Sequence, residues 1–311
     1  MAYRLGKAFR KFMIKEDTER QEMQLKENLF DKKILDDVEV LEDIPYDVEV
    51  EDFHLFDINY SKSIKGKVRP VIIDFHGGAY YHGTKMINKY YVKYIASYSK
   101  YYVVNANYRL IDKGVTIFDQ LIDTLRLVEY IYSNAEKYNF DKKNIFITGD
   151  SAGAHIVGML INAINNKEYR EKLGVTINDE IKINAVGLTC AVYNFDGFKE
   201  KWFLKPFFKD IIDRKFKSSE KTDLIDVMKY YTHKCPVFIN SAYGDFLKEG
   251  SLKAYEEFSK RGVDVEMSFW DSSIVEGRKL EHVYNILFPY YEESITTNKT
   301  FCDFIRKYVV D

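Results

Sequence analysis

The sequence predicts an α/β fold: a mostly parallel central sheet flanked by helices on both faces, with a helical cap. Three observations carry that expectation. Short apolar runs recur at 69–75, 101–107, 144–148, 185–188, 236–240 and 263–269, as in strands of a sheet covered on both faces. Helix-length amphipathic stretches lie between several of them, notably 116–138, 152–165 and 248–261, and strands alternating with helices give a parallel sheet. Two glycine-rich turns stand just past the first and third runs, at the carboxyl ends of strands where such sheets bind their ligands.

Taken in order, residues 2–35 are strongly charged, with Leu5, Phe9, Phe12 and Met13 at helical spacing, which predicts one or two amphipathic helices. Arg4, Lys7, Arg10, Lys11 and Lys15 make the first of these basic, but later acidic residues dilute the charge, so a helix docked over its own domain is expected rather than one lying on a membrane. Residues 1–45 are therefore assigned to an N-terminal helical cap segment and 46–311 to the core. From residue 47 the period changes to two, with Val48, Val50, Phe53, Leu55 and Ile58 alternating with acidic and polar residues as in antiparallel strands at a sheet edge. Residues 195–232 break the later alternation, being longer than one crossover helix needs, and are read as an inserted lid. No internal repeat or low-complexity tract is present, which excludes a solenoid.

Composition narrows the function. Lys plus Arg number 46 against 48 Asp plus Glu, a net charge of −2, so nothing draws the chain to nucleic acid or to an acidic membrane, and a small neutral substrate fits better. Cys190, Cys235 and Cys302 are widely spaced without a CxxC, which gives neither a zinc ribbon nor a disulfide framework and suits buried or idle thiols in a reducing compartment. The N-terminal twenty residues lack the apolar stretch of a signal peptide, and nowhere do enough apolar residues run together to span a membrane. A cytoplasmic protein without stable membrane association is the expectation. The 25 Tyr and 22 Phe line an aromatic pocket or pack the core.

The strongest chemical signal is Gly149-Asp150-Ser151-Ala152-Gly153, which follows a strand and opens a helix. G-x-S-x-G in that setting is a nucleophile elbow, whose small residues permit the tight turn that exposes the serine hydroxyl. Upstream, His76-Gly77-Gly78-Ala79-Tyr80 also follows an apolar strand. Acyl transfer passes through a tetrahedral oxyanion, which needs backbone N–H donors free of side-chain obstruction, and consecutive glycines supply them. A serine hydroxyl also needs a base and an acid that orients it. Of six histidines, only His282 follows every expected strand, matching the order serine, acid, histidine. His155, four residues after Ser151, reads as a packing or hydrogen-bonding residue. Asp245, just after the strand PVFINSAYG, is the first choice of acid, and Asp271, ending the next strand, is the second.

Together these residues resemble the hormone-sensitive-lipase-like branch of the α/β-hydrolase family, which includes many bacterial carboxylesterases. The resemblance covers about residues 69 to 311 and extends to Tyr108-Arg109-Leu110, the D-x-L-x-E of residues 245–249 and the position of His282. It implies the α/β-hydrolase fold, oxyanion donors at the amides of Gly78, Ala79 and Ala152 with Gly77 shaping the turn, and a cap made from the N-terminus plus an insertion like 195–232. Two segments depart from the family pattern: YRL continues as Ile-Asp-Lys-Gly, and His282 is followed by Val-Tyr-Asn. The function expected is hydrolysis of a small-molecule ester with a short acyl chain, using no metal or organic cofactor. The lid mixes Lys199, Glu200, Lys201, Lys205, Lys209 and Asp210 with Phe198, Trp202, Phe203, Phe207 and Phe208, and such charges are costly against lipid. The rivals are an arylformamidase-like amide hydrolase and a ligand receptor that keeps the fold without the chemistry.

Overall fold

A computed structural model describes residues 2–47, 53–112, 114–195, 211–212 and 219–311. The chain opens with α1 (Ala2–Lys26), α2 (Lys32–Asp37), β1 (Val38–Pro45) and β2 (Leu55–Ser61). Next come β3 (Arg69–Phe75), α3 (Lys85–Ser99), β4 (Tyr102–Ala106), α4 (Ile117–Ser133), β5 (Phe140–Asp150) and α5 (Ser151–Asn165). They are followed by α6 (Lys167–Leu173), β6 (Ala185–Thr189), α7 (Ser219–Leu224), α8 (Val227–Tyr230), β7 (Val237–Ala242) and α9 (Lys248–Lys260). The chain closes with β8 (Val265–Trp270), a small hairpin of β9 (Ile274–Val275) and β10 (Arg278–Lys279), α10 (Tyr284–Leu287) and α11 (Glu292–Arg306).

Eight strands form one sheet in the order β1-β2-β4-β3-β5-β6-β7-β8. From β4 to β8 every neighbour is parallel, while β1 and β2 add an antiparallel edge. All six expected apolar runs fall on β3 to β8. The strand period of two divides the core between the faces. Val71, Ile73 and Ile147 pack with Leu121, Leu125, Ile156 and Leu160 of α4 and α5, whereas Ile72, Val103, Phe146 and Phe238 pack with Val92 and Ile95 of α3 and Phe301 and Ile305 of α11. Val71, Ile72, Ile73 and Phe75 are wholly buried, each contributing on the order of 1.5–3 kcal/mol. The carboxyl ends of β3 and β5 are therefore a rigid platform.

Two differences from the sequence reading concern the boundaries. Residues 38–45, expected within the helical cap segment, instead form β1, whose Val38 pairs with Ser61 of β2. Val38, Val40 and Ile44 face inward or sideways along it, while Glu42 and Asp43 are exposed; charge on an edge strand discourages pairing with other chains, and it makes the strand look like the acidic helix before it. Within 195–232, residues 196–210 and 213–218, and with them the charged and aromatic lid residues Phe198 to Asp210, lie outside the described residues. The return of that segment packs on the core, with Ile225 and Val227 each 1% exposed. No helix among the described residues is long and apolar enough to cross a membrane.

Candidate active site

β5 ends at Asp150 and α5 begins at Ser151, whose φ of 51° is left-handed. For a residue with a side chain that conformation costs about 1–3 kcal/mol and persists only where the surroundings enforce it. Enforcement comes from close packing of the helix on the sheet. A Cβ on Gly153 would drive into the backbone carbonyls of Phe75 and His76 at the end of β3, so only glycine lets α5 start here. Gly149 sits beside Phe75 in the β3–β5 ladder. Ser151 itself remains partly exposed.

Two other strands deliver its partners. Asp245 lies in the turn after β7, and His282 lies between β10 and α10. The Ser151 hydroxyl donates to His282 Nε2 at 2.9 Å, and His282 Nδ1–H donates to Asp245 Oδ1 at 2.7 Å. Asp245 is fully buried and accepts two further bonds, from the Leu247 amide to Oδ1 (3.0 Å) and from Ser241 Oγ to Oδ2 (2.8 Å). Burial alone would raise its pKa, but the bonds from His282, Leu247 and Ser241 outweigh that and hold the carboxyl below its ordinary range. Asp271 is exposed just past β8 and makes no bond to His282, so the structure brings together the first-choice acid and leaves the second apart.

The loop after β3 faces the elbow. Gly78, Ala79 and Tyr80 have φ of 119°, 52° and 70°. A Cβ on Gly78 would both meet the His82 carbonyl and require a backbone that side chains rarely adopt. The Gly77 amide donates to Asp150 Oδ1 at 3.0 Å, tying the loop to the elbow. Ala79 is exposed and Gly78 partly so. Ala152 lies in the first turn of α5, where amides lack partners within the helix. Behind the loop, Asn88 Nδ2 donates to both Asp150 Oδ1 and Asp74 Oδ2 at 2.9 Å. Burial raises the Asp150 carboxyl to about 6, and burial together with the Asp150 charge keeps Asp74 protonated far higher.

Several further residues support the site. His155 is held neutral by burial, its pKa down to about 4; Tyr80 Oη donates to its Nδ1 (2.8 Å) and its Nε2–H donates to the Ile225 carbonyl (2.7 Å). It is a hydrogen-bonding residue, as its place after the serine suggested. His76 is buried and stacked on Tyr108, whose hydroxyl donates to the His76 carbonyl at 2.5 Å. Arg109 forks onto buried Asp123. The Cys190 thiol lies against Asp245 and accepts from the Val283 amide at 3.3 Å; burial first, then the Asp245 charge, raise its pKa so that it stays a thiol. The Phe246 ring, 72% exposed, lies 4.3 Å from the His282 ring. Among the described residues, donor atoms of Cys190, Asp245 and His282 lie within 4.8 Å of one another, but Asp245 and His282 are engaged with each other.

A serine hydroxyl bonded to a histidine that is bonded to a buried carboxylate can act as a nucleophile, because the proton it must lose has a receiver in place. A family model described as BD-FAE matches residues 56–245, more than half of the chain. The C6-C4 SN3 inhibited esterase B from Lactobacillus rhamnosis is similar over 97% of this chain and 96% of its own, with a TM-score of 0.83 at 21% identity. Esterase LipW from Mycobacterium marinum is similar over 97% and 89%, with a TM-score of 0.73 at 15% identity. These likenesses establish the α/β-hydrolase fold. The cAMP-regulated D2 protein of Dictyostelium discoideum is 31% identical over 106 residues, 32% of this chain and 20% of that protein. The curated relatives are matched over only 12% to 26% of their own length.

Proposed function

Because the chain belongs to the BD-FAE family, we propose that it is a serine hydrolase of small carboxylic esters, acting through Ser151, His282 and Asp245. The observation that carries this reading is the unbroken line of hydrogen bonds from Asp245 through His282 to Ser151, at 2.7 and 2.9 Å. Ser151 Oγ attacks the acyl carbon while its proton passes to His282 Nε2. The amides of Gly78, Ala79 and Ala152 receive the negative charge on the carbonyl oxygen, each such donor being worth roughly 3–4 kcal/mol in the transition state. As the tetrahedral intermediate collapses, the bond to the alcohol oxygen breaks and His282 gives that oxygen the proton. Water then attacks the acyl-enzyme, passing a proton to Nε2, and the acid leaves as Ser151 Oγ takes that proton back. Asp245, held ionised, fixes the imidazole tautomer and balances the imidazolium.

In this reading the N-terminal helices and residues 195–232 form the cap over a short pocket, and no lipid interface is needed, because the charged side chains of 199–210 are costly to place against hydrocarbon. That the similar solved structures are of proteins named as esterases supports an ester as substrate. The test is a p-nitrophenyl ester series from acetate to palmitate, assayed below and above the solubility limit of the long members, with N-formylkynurenine alongside. The expected result is a maximum kcat/KM at about two to six acyl carbons, from a pocket of ordinary small-molecule size. A maximum at palmitate, a jump in rate on emulsification, faster hydrolysis of N-formylkynurenine, or ligand binding without turnover would each overturn it.

A further inference from the structure

The left-handed backbone of the loop at 78–80 must be held by its surroundings, and part of the hold comes from outside the α/β core. From within the core, the Tyr80 carbonyl accepts from the Ile111 amide and from Gln120 Nε2, both at 2.9 Å. From α1, Arg10 Nε donates to the Tyr81 carbonyl at 2.6 Å and Nη2 donates to the Ile111 carbonyl at 3.3 Å. Seven residues further along α1, Asp17 Oδ2 accepts from His82 Nε2–H at 2.7 Å, while Arg20 Nη1 sits 2.6 Å from Asp17 Oδ1. Asp17 is 9% and His82 3% exposed.

His82 matters because of what its backbone does. The amides of Tyr81 and His82 both donate to the Gly78 carbonyl, at 3.2 and 2.9 Å. That carbonyl shares one peptide plane with the Ala79 N–H. In a trans peptide the two groups point opposite ways, so fixing the Gly78 carbonyl fixes the direction of the Ala79 N–H. We propose that α1 positions the oxyanion loop: the Asp17–His82 pair and the Arg10 guanidinium hold the Gly78 carbonyl, and through its peptide plane aim the Ala79 N–H at the oxyanion.

Among the described side chains of α1, the large apolar ones contribute little packing against this loop. Phe12, Ile14, Met23 and Leu25 of α1 are 42–58% exposed, and a cavity of about 510 Å³ is lined by Ile14 and Leu25 together with Met86 and Tyr90. Among the described residues of α1, polar contacts seat the helix, and those nearest the loop act on its geometry. Gln24 supplies a contact of the same kind elsewhere, donating to the Leu287 carbonyl at 2.8 Å.

This inference rests on the reading of Ala79 as an oxyanion donor, and full-length protein separates the two. Wild type, Ser151→Ala, Asp17→Ala, Asp17→Asn, Arg10→Leu and Gln24→Ala are assayed on p-nitrophenyl acetate, each with its melting temperature and its affinity for an aryl trifluoromethyl ketone. Removing a whole oxyanion donor costs about 10²–10³ in kcat, so mis-aiming one should cost about tenfold to a hundredfold. Asp17→Ala and Arg10→Leu are expected to lower kcat by that factor with KM within about twofold, and to weaken the ketone in proportion. Asp17→Asn, whose carbonyl still accepts from His82, should recover most of the rate, and Gln24→Ala should leave kcat unchanged. Unchanged kcat in both Asp17→Ala and Arg10→Leu, an equal loss in Gln24→Ala, or lost rate with undiminished ketone affinity would overturn the role of α1. A wild type no faster than Ser151→Ala would instead overturn the hydrolase reading beneath it.

Discussion

Replacing Asp245 separates what the acid does by charge from what it does by geometry. Asp245 Oδ1 accepts from both His282 Nδ1–H and the Leu247 amide, while Oδ2 accepts from the Ser241 hydroxyl, which can accept as readily as it donates. In Asp245→Asn the side-chain carbonyl therefore keeps the Oδ1 position, since an NH2 there would face two donors, and the new NH2 donates to Ser241. The imidazole keeps its tautomer and loses only the balancing charge. A carboxylate at this range is worth about 1–3 pKa units to a cation, so the expected fall in kcat/KM is about 10- to 1,000-fold. Asp245→Ala removes orientation as well, and the loss should reach about 3 × 10⁴-fold. The assay is initial-rate hydrolysis of p-nitrophenyl acetate at saturating and sub-saturating substrate, with melting curves to establish folding. Equal losses in the two variants would refute the argument from Leu247 and Ser241, and a large loss in Asp271→Asn would refute the choice of acid.

Two further perturbations probe the loop and the elbow. Gly78→Ala should lower kcat by about 10²–10³-fold with little change in KM, because a side chain at φ 119° pushes the loop off the His82 carbonyl and spoils an oxyanion donor; wild-type kcat would contradict this. Burial raises the Asp150 carboxyl to about 6 in the folded chain, against about 3.9 when unfolded. The folded state therefore holds that proton more tightly, and a stabilisation present below about pH 4 is lost as pH climbs to about 6, amounting to roughly 2–3 kcal/mol. Asp150→Asn keeps an acceptor for Gly77 and Asn88 without titrating, so its urea midpoint should fall less than that of wild type between pH 4 and 7, and parallel curves would refute the assignment.

Much of this molecule was legible because its signals are local. The buried runs of β3 to β7 are rich in apolar residues, the helices 117–133 and 248–260 carry one apolar face, and 151–165 is apolar nearly throughout. The elbow, the glycine turn, Asp245 and His282 were found by residue type, order and position relative to strands. What escaped is of two kinds. The helices α3 and α11 were not anticipated, since Tyr and Lys recur through α3 and three Thr stand among charged residues in α11, which masks their apolar positions. β1 was hidden by its Glu and Asp residues, whose strand role depends on pairing with β2. Long-range polar contacts escaped as well: Asp17 with His82, Arg10 with Tyr81, and His155 with Tyr80 each join segments 65 to 75 residues apart. A charged residue on a surface-like helix reads as solvated until the surface beneath it is known. The thiols give an intermediate case. All three are buried and free, as their spacing suggested, but Cys190 lies against Asp245, which spacing could not reveal.

The most direct test is to catch the acyl group on the protein. Enzyme mixed with excess p-nitrophenyl butyrate and quenched within the first turnover is examined by intact mass and by peptide mapping. The expected result is a burst of p-nitrophenol stoichiometric with protein, a butyryl adduct on the peptide holding Ser151, and neither in Ser151→Ala, whose kcat should fall by roughly 10⁶-fold. A butyryl group on any other residue, or steady turnover by Ser151→Ala, would show that the line from Asp245 through His282 does not end on the nucleophile.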